Sequence, residues 1–89
     1  MGCDILTLVF VFARTRDIKV GFSVSKKVGN SVVRHKAIRK MRAAFRPLLE
    51  NIKENHSIIF IAKEGIDKKH VTEIGEAMIG VLRKAGLYQ

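Results

Sequence analysis

Placed at 100° per residue, Ala37, Ile38, Met41, Ala44, Phe45 and Leu48 fall within one apolar arc, and His35, Lys36, Arg39, Lys40, Arg42 and Arg46 fall on the complementary one. A helix divided in this way must bury one face and leave the other bare. Its apolar arc is needed to close a core on a second layer, and the rest of the chain supplies strands for that layer. Leu6 to Ala13 is largely β-branched or aromatic, with Leu6, Leu8, Phe10 and Phe12 on one face and Thr7, Val9, Val11 and Ala13 on the other. After a polar turn, Arg14 to Asp17, a second strand runs from Ile18 to about Ser25. There Val20, Phe22 and Val24 alternate with Lys19, Gly21, Ser23 and Ser25. The two strands are expected to pair as a hairpin, with Phe10, Phe12 and Phe22 in the core and a shallow, mildly polar opposite face.

The remaining elements follow from local chemistry. Val28-Gly29-Asn30-Ser31 reads as a turn into the helix, with Asn30 or Ser31 able to cap it. Pro47 predicts a kink or an end between Arg46 and Asn51, because it removes an internal hydrogen bond. Ser57 to Ala62 is a continuous apolar run that suits a strand buried on both faces or inserted centrally, and Gly65 to Asp67 ends it. Val71, Ile74, Met78, Leu82 and Ala85 form the stripe of a last helix that Gly86 stops. The order is β-β-α-β-α, an α+β two-layer sandwich forming a single domain over residues 1–89.

Charge points to the partner. The positions from Lys26 to Arg46 hold eight Lys or Arg and no acid, and residues 14–47 carry eleven against one, so the net charge of +9 lives in one block. Such a surface attracts polyanions. Solvated helix faces usually mix signs, whereas here Lys36 is set against Lys40, Arg39 against Arg42 and Arg42 against Arg46. Each such pair costs roughly 0.2 to 0.5 kcal/mol, which an anionic ligand relieves. Arginine forks suit phosphate oxygens. Arg34 lies near the boundary of the two arcs, turned either outward or toward the sheet end. The opposite face of the strands, with Thr7, Val9, Val11, Ser23 and Ser25, could carry an extended strand of RNA.

Other functions find little support. A single cysteine, Cys3, excludes an internal disulfide and a Cys-pair zinc site, and fits a reducing cytoplasm. Leu6 stands where a myristoylation signal wants Ser or Thr. The largely apolar run from Ile5 to Ala13 is only nine residues, too short to span a bilayer, so no membrane partner is expected. His35, His56 and His70 lie on three different elements without an accompanying nucleophile or ligand set, so no catalytic or metal site is assigned. Glu73 and Glu76 read as a solvated helix face and Asp67 as a cap or turn residue. The readings left open are an RNA-binding subunit, a ribosomal or other structural RNA-binding domain, and a stand-alone nuclease using His35 and a carboxylate.

The run Gly21-Phe22-Ser23-Val24-Ser25-Lys26-Lys27-Val28-Gly29-Asn30, followed by Val32, Arg34, His35, Lys36, Arg39 and Arg42, closely resembles the signature of the bacterial ribonuclease P protein subunit. The resemblance covers about residues 8–88, including a closing Gly86-Leu87-Tyr88. It implies an accessory protein of a ribonucleoprotein endoribonuclease. The partner RNA carries out the cleavage of the 5′ leader from precursor tRNA with bound Mg²⁺, and the protein itself binds no cofactor. Carried over by position, Lys26, Lys27, Gly29, Asn30, Arg34, Lys36, Arg39, Arg42 and Arg46 are the implied RNA-binding set, and Val9, Val11 and Ser25 face the leader. The resemblance also implies a mixed sheet with a left-handed βαβ crossover, against the usual hand of such connections. The family begins with a Phe-bearing helix that forms one wall of the leader cleft, preceded by a basic tail, whereas this chain starts almost at the following strand. The expectation is either a wall supplied by another chain, or a shortened form that holds the catalytic RNA and grips the leader weakly. Lys40 stands where the family more often has an apolar residue.

Overall fold

In the computed structural model, which describes residues 2–12, 19–52 and 56–88 apart from the side chain of Phe12, strand β3 (His56–Ala62) lies between β1 (Leu6–Phe12) and β2 (Lys19–Ser23). β1 pairs with β3 antiparallel and β2 pairs with β3 in parallel, giving a mixed sheet. The hairpin expected of β1 and β2 is therefore split by an inserted strand. The composition of the strands explains it: β3 is apolar from Ile58 to Ala62, whereas β2, with Lys19, Gly21 and Ser23, is suited to an edge. The Arg14–Asp17 turn, Ala13 and Ile18 lie outside the described residues.

Helix α1 (Ser31–Phe45) connects the parallel strands, and α2 (Val71–Lys84) follows β3. Both helices lie on one face of the sheet. Ala37, Met41, Ala44 and Phe45 of α1 and Ile74, Met78, Val81 and Leu82 of α2 are buried with Leu6, Leu8, Ile58, Phe60 and Ala62. Phe45 holds α1 to the sheet through an aromatic group, its ring centroid 5.6 Å from Phe60 and 6.1 Å from Phe22. Phe10 departs from the core role expected of it. It shares the inward parity of Leu8 but sits at the sheet margin, 37% exposed and tilted against the His56 ring.

The helix ends follow their local signals. Asn30 caps α1, its Oδ1 accepting from the Val33 N–H at 3.0 Å. At Pro47 the α-helix gives way to a 3-10 turn, Arg46–Asn51. His70 is the N-cap of α2 and accepts from the Thr72 N–H at 3.2 Å, while Asp67 lies in the 3-10 turn Ile66–Lys68. Gly86, at φ 75°, closes α2 as the Leu87 N–H returns to the Leu82 carbonyl at 2.9 Å.

Because the helices cover one face only, the other is open. β3 is buried on one side and not on both. Val9 (45% exposed), Val11 (63%), Ile59 (44%) and Ile61 (36%) point outward from two adjacent strands. Pairing sets Val9 beside Ile59 and Ile59 beside Gly21, and Thr7 beside Ile61 and Ile61 beside Ser23. The open face is thus more apolar than the mildly polar surface expected from β1 and β2 alone.

Candidate nucleic-acid interface

Gly29 and Asn30 set the direction in which α1 leaves β2. A Cβ added at Gly29 would lie 2.7 Å from Val33 Cβ and Cγ1, so only glycine lets the chain pass this close to the first helical turn. Asn30 then takes the Val33 amide. The structure therefore gives both residues a role in building the helix entry, whatever they touch in a complex. Before them, Ser25, Lys26 and Lys27 are exposed in a turn closed by the Val28 N–H on the Ser25 carbonyl at 3.1 Å.

From this entry α1 presents His35, Lys36, Arg39 and Arg42 to solvent, and Arg46 follows just past its end. Its first turn carries no acid. Among the described residues the ion pair present is Lys69–Glu73 at 4.0 Å, which involves no residue of this face. The α1 cations are consequently not neutralised by carboxylates of the described chain. Arg34 is half-buried at the margin, its Nη2 donating to Ser31 Oγ at 3.3 Å and its buried Nε without a partner among the described residues.

Lys40 does not belong to this open set. Its Nζ donates to the carbonyls of Asp67 and Lys69, both at 2.7 Å, and so fastens α1 to the turn before α2. Two carbonyl acceptors on the neighbouring segment draw the ammonium away from Lys36, and the expected opposition of those two lysines is relieved within the fold.

Val9 and Val11 are exposed as expected, but on the side of the sheet away from α1. The alternation that buries Leu6 and Leu8 under the helices directs Val9 and Val11 outward. The two implied sets of contacts thus occupy opposite faces of one sheet. Ile59 and Ile61 extend the open face and were not anticipated. Their signal was present in the apolar run of β3, since a strand covered on one side must show alternate residues on the other.

Comparison with known proteins fits the order of elements. The family model for Ribonuclease P matches residues 3–86. The chain belongs to the ribonuclease P protein family. A ribonuclease P protein component from Clostridium novyi is 38% identical over 86 residues, covering 93% of this chain and 76% of that protein. One from Clostridium botulinum strain Eklund is 46% identical over 70 residues, covering 79% of this chain and 56% of that protein. The chain thus spans little more than half of the latter. The structure of the Staphylococcus aureus RNase P protein superposes with a TM-score of 0.85 at 26% identity, covering all of this chain and 82% of that one. The Thermotoga maritima RNase P protein shares the fold, with a TM-score of 0.83 at 18% identity over 94% of this chain and 80% of that one. Membership of the ribonuclease P family sets aside the ribosomal alternative. No described helix is long and apolar enough to cross a membrane.

Proposed function

We propose that this chain is the protein subunit of a cytoplasmic ribonuclease P ribonucleoprotein. In this reading α1 and the Lys26–Asn30 entry hold the catalytic RNA, and the 5′ leader of precursor tRNA lies across Val9, Val11, Ser25 and the neighbouring isoleucines. Cleavage belongs to the RNA and its Mg²⁺. The protein contributes affinity and position and binds no cofactor of its own. The observation that supports the reading most strongly is the exposed row Lys36, Arg39, Arg42 and Arg46, which no described carboxylate neutralises. Phosphate supplies that neutralisation without a change of fold.

Reconstitution tests it. Catalytic RNA from the same organism, at Mg²⁺ too low to support it alone, should cleave precursor tRNA when the protein is added. Protein without RNA should cleave nothing. Failure to stimulate at any Mg²⁺ concentration, or cleavage by RNA-free protein, contradicts the proposal.

A further inference from the structure

Val32 is 76% exposed, more than any other large apolar side chain of the described protein. It stands in the first turn of α1, in the middle of the cationic face and not on the core-facing arc. Together with Ser31, His35 and Arg39 it lines a shallow depression on the helix, and His35, Ile38, Arg39 and Arg42 line the adjoining one. The first depression is therefore aliphatic at Val32 and the second at the half-buried Ile38, with the guanidinium of Arg39 bordering both and that of Arg42 the second. A phosphate gains nothing from an aliphatic floor, whereas the flat face of an unpaired base or a ribose does.

We infer that these two adjoining depressions, joined at His35 and Arg39, form a nucleoside subsite: one unstacked nucleotide of the RNA bound by α1 lays its base or sugar against Val32 and Ile38. Its flanking phosphates meet Arg39 and Arg42. Rim charge commits the site to a polyanion, and the exposed valine commits it to the nonionic part of that polyanion. Arg39 borders both depressions and a third groove formed by Lys36, Lys40, Ala43 and Val71, which makes it the ridge between two tracks of RNA. The track on the Val32 side reads an unpaired nucleotide. The Lys36 side reads backbone alone.

This inference rests on the RNA-binding reading of α1, and the two can fail separately. The test measures affinity for in vitro transcribed ribonuclease P RNA across a salt titration, for the wild type, Val32→Ala and Arg39→Ala. Alanine is the better helix former, so Val32→Ala keeps α1 intact. Loss of a buried aliphatic contact should weaken binding roughly tenfold at every salt concentration and leave the salt slope unchanged. Arg39→Ala should instead lower the slope by about one. Chemical footprinting should show one unpaired nucleotide protected by the wild type and exposed with Val32→Ala. Binding by Val32→Ala equal to that of the wild type, with the same footprint, overturns the subsite while leaving the proposed function standing. Absence of binding by the wild type removes both.

Discussion

Lys40 Nζ lies 2.7 Å from the backbone carbonyl oxygen of Asp67, twenty-seven residues further along the chain. With a second bond to the Lys69 carbonyl, this makes Lys40 a fastening between α1 and the approach to α2. Lys40→Met keeps the length of the stem and removes the donor. It should lower stability by about 1 to 2 kcal/mol, since charge-assisted hydrogen bonds from a half-buried group are at stake. The salt slope of RNA binding should remain that of the wild type. Denaturant unfolding combined with a binding titration checks both parts, and a reduced slope would add Lys40 to the contact set.

Asn30 separates helix capping from charge. Asn30→Asp preserves an acceptor for the Val33 amide and places a carboxylate at the positive end of α1, so stability should hold or rise by about 0.3 to 1 kcal/mol. RNA affinity should fall, because the new charge sits at the entrance of an acid-free face. Asn30→Ala should do the reverse: it costs about 1 kcal/mol of stability and leaves the salt slope alone. Thermal melts and filter binding on the two variants distinguish a capping residue from an electrostatic one.

Gly29 and Gly21 should respond differently to the same added methyl. Gly29→Ala drives a Cβ to within 2.7 Å of Val33, whereas at Gly21 the nearest atom, Ile59 Cγ1, stands at an ordinary 3.8 Å. The first should destabilise the domain by about 1 to 3 kcal/mol, as overpacking does, and the second by much less. Equal melting temperatures for the two would contradict the close approach at the helix entry.

The open sheet face can be altered without disturbing α1. Val9→Ser with Val11→Ser removes two exposed methyl-bearing side chains on the side away from the helices. Affinity for the catalytic RNA should stay within about twofold of the wild type, because surface substitutions distant from the contact couple weakly. The advantage of a precursor carrying a leader over mature tRNA should shrink. Measuring precursor and product affinity with the assembled ribonucleoprotein tests this, and an unchanged ratio would remove the leader from that face.

Helix α1 was legible because 3.6 residues per turn is set by the backbone. Once Ala37, Met41 and Phe45 share an arc, the side to be buried and the side left to the cations follow. Pro47 and Asn30 were equally local, since each acts within one turn of itself. Strand order was not local. The alternation in β1 and β2 identifies their faces and says nothing of which neighbour each takes; only the apolar run of β3 pointed to a central place, and the pairing that splits the expected hairpin came from the structure. Phe10 carried the right parity and lacked cover, which depends on how far the helices reach across the sheet. Lys40 was misplaced for a related reason: its Cα lies on the cationic arc, but a flexible stem carries its charge to carbonyls that sequence spacing cannot bring near. Val9 and Val11 were read correctly as outward, and their separation from the arginines became visible only when the sheet stood between them.

The most direct test of the central claim, that the exposed face of α1 grips RNA through phosphate, is the salt dependence of binding to ribonuclease P RNA for the wild type and for Arg39→Ala with Arg42→Ala. The account predicts steep linear weakening with log salt for the wild type, and a slope smaller by about two for the double variant at unchanged fold. Equal slopes for the two proteins would contradict it.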